Sequence, residues 1–368
     1  MPSSLHGKRQ ERSTSAEYLK GGFGGRLAIH AQTFAKRIIF DGKAARSVQV
    51  ETGTLLYQIN ARREVILSCG SLQTPQLLMV SGVGEKRLLS ANDIPLIHAL
   101  PGVGQNLQDN PGFGLSFSVK IDTAAKIIKS PSRMLAAMNQ YNDHRSGFLT
   151  SSGADAVNFE KIAHHSAYRL SPKAVQDLAT FSADWPEVQY WPLTTWPGQN
   201  GPGDNIATIV AGLIAPLSRG SVSIRSRDMT DAPVIDAGWL THPTDREVAI
   251  GAVKRMKQFI GTRAIRSVLQ GKTEHEHSSA HIDFDLEDSE ILELVRKQLS
   301  TFYHVAGTCK MGARGDDTAV IDSRARVFGL QNLRVADLSG VPFLPPGQPQ
   351  ATVYMLAERI ADFILEDA

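Results

Sequence analysis

Thr301-Phe-Tyr-His-Val-Ala-Gly-Thr-Cys-Lys-Met-Gly312 sets a histidine, two glycines, a threonine hydroxyl and a cysteine between an acidic, helix-like segment and a β-like run. This mixture of small and hydrogen-bonding side chains suits a site better than a core strand, and His304 stands at its centre. Two other stretches share the character. Residues 64–84 read Glu-Val-Ile-Leu-Ser-Cys-Gly-Ser-Leu-Gln-Thr-Pro-Gln-Leu-Leu-Met-Val-Ser-Gly-Val-Gly, an apolar run, a small-residue turn and a short helix. Residues 332–350 read Asn-Leu-Arg-Val-Ala-Asp-Leu-Ser-Gly-Val-Pro-Phe-Leu-Pro-Pro-Gly-Gln-Pro-Gln, a strand that runs into a polar, proline-rich loop.

The 368 residues are enough for a large core and about two domains. A hydrophobic content of 42% and a charged content of 21% are those of an ordinary globular chain. The formal charge of +2 comes with no basic block or stripe, which argues against nucleic acid as a partner. The two cysteines, Cys69 and Cys309, form no disulfide framework or metal pattern and read as small buried residues of a reducing compartment. Residues 1–20 are polar, so no signal peptide is expected, and no run reaches the ~18 apolar residues of a membrane span. These features lead to the expectation of a cytoplasmic protein.

Outward from the three stretches, residues 21–25 form a glycine turn, and β-like runs at 27–33, 36–40 and 46–51 read as a meander with a turn at Asp41-Gly42. Residues 57–60 and 64–68 continue the strand pattern. Thr74-Pro75 offers a cap and a first-position proline, which predicts a helix start, and Gly82 and Gly84 close it. Residues 100–111, Leu-Pro-Gly-Val-Gly-Gln-Asn-Leu-Gln-Asp-Asn-Pro, form a loop. Long alternating runs at 113–121 and 206–215 predict strands, and the tryptophan- and proline-rich residues 185–197 suit either a pocket wall or core. Helices are expected from Pro243 (Val248, Ala252, Met256 and Ile260 on one face), over 286–299 (Ile291, Leu292, Val295, Leu299) and over 351–365 (Val353, Leu356, Ala357, Ile360, Ile364).

The three stretches, with residues 100–111, Ser218-Arg-Gly-Ser-Val222 and the ending Pro-Pro-Gly-Gln-Pro-Gln-Ala-Thr-Val-Tyr (345–354), resemble the glucose-methanol-choline (GMC) family of flavin oxidoreductases, fungal members above all. The resemblance covers nearly the whole chain but is read as the C-terminal portion of the family only, without its N-terminal dinucleotide-binding segment. It implies a mixed α/β (α+β) fold. An incomplete FAD-binding domain would be made of residues 1–111 and 301–368, and a substrate domain with an antiparallel sheet and flanking helices of residues 112–300.

Oxidation of an alcohol by hydride transfer needs a group to take the hydroxyl proton, and an imidazole suits that role. His304 matches the family's catalytic histidine. The second active-site position, normally His or Asn, falls on Gln348, whose amide can orient a substrate oxygen but does not titrate near neutral pH; a solvent-facing loop residue is the other reading. The resemblance puts Ala35 at the adenine end of FAD, Ala336, Asp337 and Leu338 along its centre, and Gln350 and Ala351 at the ring, where a helix start would favour negative charge. Five Gly-x-Gly pairs begin at Gly22, Gly82, Gly102, Gly112 and Gly201, and none is completed to Gly-x-Gly-x-x-Gly, so the phosphate anchor of a dinucleotide fold is not expected.

His275, His277 and His281 lie in a polar, serine-rich segment and read as linker, so no metal is expected; Asp155, Glu160 and Asp184 are isolated carboxylates. Three readings stay open. One is an FAD-linked dehydrogenase or oxidase acting on a secondary-metabolite alcohol, with another chain supplying the phosphate-binding half or the sequence being a shortened one. A second is a flavin-free cyclase, dehydratase or isomerase using His304 and Gln348. The third is an inactive remnant. The expected partner is a small-molecule alcohol, with no nucleic acid and no membrane.

Overall fold

The computed structural model describes residues 4–5, 12–20, 26–151, 154, 156–164, 168–194, 205–270 and 286–367. The glycine turn at 21–25, Asp155, residues 195–197 of the tryptophan-rich stretch, the Gly201 pair, and His275, His277 and His281 lie outside the described residues. The chain gathers into two compact units, Met1–Arg26, Pro111–Ala215 and Pro243–Phe302 in the first, and Leu27–Asn110, Pro216–His242 and Tyr303–Ala368 in the second. Residues 216–242, placed by sequence in the substrate region, join the second unit. The cause is pairing: Gly220 and Leu107 exchange two backbone hydrogen bonds of 2.9 and 3.0 Å, and Val222 N donates to Gly104 O at 2.7 Å.

The first unit is built on an antiparallel sheet in the order Asn158–Glu160, Val188–Leu193, Ile206–Leu213, Pro111–Ser118 and Ser300–Thr301. The predicted runs at 113–121 and 206–215 are its neighbouring strands, with Leu115 opposite Ile209 and Gly112 opposite Gly212. That glycine pair makes a bare patch on the sheet. A Cβ at Gly212 would stand 2.0 Å from the Phe302 ring and one at Gly112 2.7 Å from it, and Trp191 stacks on Phe302 with centroids 5.5 Å apart. The Gly112-Phe-Gly114 pair therefore seats an aromatic ring on a strand instead of turning a strand into a helix. Trp185 stacks on Phe181 at 5.6 Å, so both described tryptophans of the aromatic stretch are engaged in ring packing.

The helix Pro243–Ile260 buries the predicted Val248, Ala252, Met256 and Ile260, and Asp288–Gln298 buries Ile291 and Val295. The helices that went unread include Pro131–His144 and Pro172–Leu178. Each follows a Ser-Pro pair that puts serine at the cap and proline at the first turn, and the Ser171 hydroxyl accepts from Ala174 N at 3.2 Å. Their apolar faces are too thin for a 3.6-residue pattern to stand out; Pro131–His144 buries only Ala137.

In the second unit, Thr33–Asp41, Ala44–Thr52 and Leu55–Asn60 form an antiparallel sheet in chain order. Residues 27–31 lie outside any strand, and the 36–40 run is the middle of a longer strand. Irregularities between Ala35 and Arg37 and between Ile39 and Phe40 break its alternation. Val65–Leu67 pairs in parallel with Leu333–Val335, so two of the quoted stretches become neighbours far from each other in sequence.

The helix expected at Thr74 begins a turn earlier and spans Gly70–Val80 with Pro75 inside it. Proline has no N–H for the carbonyl four residues back, Ser71 O. The Thr308 hydroxyl donates to that oxygen at 2.6 Å, so the vacancy is met from the His304 stretch. Thr308 is fully buried, and Thr308→Val keeps the shape while stranding Ser71 O. The expected loss is about 1–3 kcal/mol of unfolding free energy, measured by urea denaturation; an unchanged midpoint would refute the role.

The C-terminal helix, Gln350–Glu366, stands where residues 351–365 are expected to form one. Of its five predicted apolar positions only Ile360 is buried; Leu356 and Ile364 pack partly against the core and Ala357 is exposed. The helix meets the core along one narrow line. Beyond it, Asp367 Oδ2 accepts from the buried Arg334 guanidinium at 2.6 Å. Among the described residues no helix is long and apolar enough to cross a membrane.

Candidate functional site

The site lies in the second unit, where three short segments meet edge to edge. Residues 106–110 run beside 304–307, with Gln108 and Ala306 exchanging backbone hydrogen bonds of 3.0 and 2.8 Å. On the other side, Gly307 N donates to Leu338 O, Cys309 N to Ser339 O and Met311 N to Gly340 O, at 3.1, 2.8 and 2.8 Å. The Gln108 side chain extends the link to the third segment: Nε2 donates to Pro342 O at 3.0 Å and Oε1 accepts from Leu344 N at 3.1 Å. One buried glutamine thus holds the loop that carries Gln348 against the segment that pairs with Ala306.

His304 itself is 8% exposed. Its backbone N–H donates to Asp109 Oδ1 at 3.0 Å, and its ring Nδ1 lies 3.0 Å from Asn110 Nδ2. The residue before it, Tyr303, holds φ at 62°, a left-handed conformation that costs a non-glycine residue of order 1–2 kcal/mol. Burial lowers the imidazole pKa from its ordinary 6.5 to about 4, so the ring is neutral through the neutral range. Between pH 6.5 and about 4 the unfolded chain takes up a proton that the folded ring refuses, so stability falls with acid by at most about 1.4 kcal/mol per pH unit. Comparing denaturation at pH 4.5 and pH 7 is expected to show this loss in the natural chain and a smaller one in His304→Gln.

Gln348, in contrast, is exposed, in a loop turned by Gly347 at φ 94°. Ala35 is half-buried next to the first irregularity of strand Thr33–Asp41. Ala336, Asp337 and Leu338 follow the strand Leu333–Val335, at the carboxyl end of the parallel pair, where ligands of α/β sheets bind. The groups there are largely committed: Ala336 N donates to Leu67 O at 2.7 Å, and Ala336 O accepts from the Ser68 hydroxyl at 3.1 Å. The buried Asp337 carboxylate accepts from Gly70 N, Thr74 Oγ1 and Ser339 N at 3.0, 2.5 and 2.8 Å. Asp337 therefore clasps the Gly70–Val80 helix to the strand end. Gln350 and Ala351 open the C-terminal helix, whose cap residue Pro349 supplies no side-chain acceptor to the first-turn N–H groups.

Cys69 corrects the expectation of two buried cysteines, being exposed at the start of the Gly70–Val80 helix, whereas Cys309 is buried and its thiol is pushed far above its usual range by burial. Of the described Gly-x-Gly pairs, Gly82-Val-Gly84 precedes a helix, Lys86–Ala91. Its start is already occupied by the Glu85 carboxylate, which accepts from Arg87 N at 2.9 Å and Leu88 N at 2.6 Å, so a phosphate would meet a like charge there. The sequence reading missed Gln108, Asp109 and Asn110 as functional residues. Three consecutive hydrogen-bonding side chains ahead of Pro111 are the signal that could have found them.

Two family models, both described as GMC oxidoreductase, match residues 3–112 and 216–357. The chain belongs to the GMC oxidoreductase family. The match of the N-terminal model overturns the reading of a C-terminal portion alone: residues 27–110, which supply half of the second unit, are N-terminal family sequence. A dehydrogenase of Emericella nidulans, pkfF, is 42% identical over 346 residues, 92% of this chain and 55% of its own. Patulin synthase of Penicillium expansum is 40% identical over 362 residues, 96% of this chain and 56% of its own. A solved FAD-dependent oxidoreductase from Chaetomium thermophilum superposes with a TM-score of 0.83 at 25% identity, covering 99% of this chain and 66% of its own. The chain spans about half the length of the curated relatives it matches.

Proposed function

We propose that the chain serves an FAD-dependent oxidation of a small-molecule alcohol, in fungal secondary metabolism, with His304 as the base. Bound FAD would supply the acceptor for the hydride that leaves the carbinol carbon. The chain's own residues do the rest. A neutral His304 takes the hydroxyl proton, and the exposed Gln348 amide offers a donor and an acceptor to the substrate oxygen. The second unit is the flavin-binding part on this reading, and the first unit the substrate part.

The observation that carries the proposal is the seat of His304, a buried neutral imidazole fixed at its main chain by Asp109 and at its ring by Asn110. The uncapped helix start at Gln350 and Ala351 fits the electron-rich edge of a flavin ring. Ala336 and Leu338 would meet the cofactor by shape, since the polar groups of Ala336 are taken, and Ala35 would line its adenine end. The relatives named dehydrogenase and synthase and the FAD-dependent structural neighbour support the same class.

The test is an absorbance spectrum of the protein after incubation with excess FAD and gel filtration, followed by anaerobic addition of a panel of primary and secondary alcohols. Retained flavin absorbance that bleaches with an alcohol is expected. Protein that emerges free of flavin would overturn the redox reading.

A further inference from the structure

Asn110 is fully buried, its Nδ2 is 3.0 Å from His304 Nδ1, and its Oδ1 has no hydrogen-bond partner. The two ends of a carboxamide have nearly the same shape, so hydrogen bonding decides which is oxygen and which is nitrogen. With Nδ2 toward the ring, Nδ1 has to be the lone-pair nitrogen, the ring proton sits on Nε2, and a buried carbonyl oxygen goes unmet. With the amide turned over, Oδ1 faces the ring and accepts a proton held on Nδ1, while Nδ2 takes the place that offers no protein partner; what chooses between the two is therefore the tautomer that His304 needs as a base.

We propose that Asn110 is a positioning residue whose Oδ1 accepts the Nδ1–H of His304, fixing the tautomer in which Nε2 carries the lone pair. The assignment deepens the reading of His304 as base, and rests on it, because only a lone pair on the nitrogen away from Asn110 can take a substrate proton. The local construction agrees. Asp109 holds the His304 main chain and Asn110, the next residue, holds the ring, so one dipeptide sets both the place and the orientation of the imidazole. A neutral amide orients a ring without adding a charge beside it, whereas a carboxylate in the same place would favour the protonated imidazolium.

The experiment is long-range 1H–15N correlation spectroscopy of the full chain labelled with 15N-histidine at pH 7. His304 is assigned by the resonance lost in His304→Gln. The wild-type ring is expected in the Nδ1–H form, Asn110→Asp is expected to keep the Nδ1 proton, and Asn110→Leu is expected to lower the ratio of the two tautomers by about tenfold. A wild-type ring protonated on Nε2 with its lone pair on Nδ1 would overturn the proposal, and the wild-type spectrum decides this even where a variant does not fold. An Asn110→Leu ratio equal to the wild-type one would overturn it too. The base reading fails separately: oxidation undiminished in His304→Gln would remove His304 as base while an Nδ1–H spectrum still upheld the assignment of Asn110.

Discussion

His304→Gln is expected to lower kcat for alcohol oxidation by about 10²–10⁴-fold, the range that a positioned proton acceptor contributes, with a much smaller change in KM. Glutamine preserves much of the volume and a hydrogen-bonding end, so the seat between Asp109 and Asn110 survives while the proton acceptor is lost. The pH profile adds a second expectation. Because burial depresses the imidazole to about 4, the acid limb of kcat/KM should fall near that value and not near 6.5. A limb at 6.5, or a kcat unchanged in the variant, would remove His304 from the chemistry.

The second large effect is on folding. Gly104 sits at φ 80°, and a Cβ there would stand 2.1 Å from Val222 O, a carbonyl of the segment that returns to this turn. Gly104→Ala combines a left-handed alanine with a forced displacement of backbone that pairs at 2.7 Å, so the expected loss is about 2–4 kcal/mol. Gly42→Ala is the control: φ is 58° but nothing lies within 4 Å, so only the conformational cost of roughly 1–2 kcal/mol applies. Equal denaturation midpoints for the two variants would show that the close approach to Val222 is unimportant.

Particular residues show what could be read from the sequence and what could not. The helix Pro243–Ile260 was legible because its buried positions repeat at the helical period, and strands Pro111–Ser118 and Ile206–Leu213 because Phe113, Leu115 and Phe117 alternate with small residues in the one and apolar residues dominate the other, although both strands are buried along almost their whole length. Thr74-Pro75 misled because a proline usually marks the first turn, and its tolerance here depends on a hydroxyl contributed by Thr308, remote in sequence. The C-terminal helix carried the right period, but periodicity states which face is apolar and not whether anything covers it. His304 could be singled out as a candidate from its motif. Its partners could not, because a hydrogen bond between residues 110 and 304 leaves no local trace in either stretch.

The parallel pairing of Val65–Leu67 with Leu333–Val335 has a consequence for how the chain is made. Gly70 and the Asp337 that clasps it are 267 residues apart, so at ~5–20 residues per second the ribosome delivers the second long after the first, on the order of 15–50 s. During that time the strand Val65–Leu67 lacks its parallel partner and the helix behind it lacks the Asp337 clasp, while the first unit gains most of its own sequence. The nascent polypeptide should therefore depend on chaperones until residues 333–337 emerge, and a premature stop before residue 333 should leave a product cleared by proteolysis.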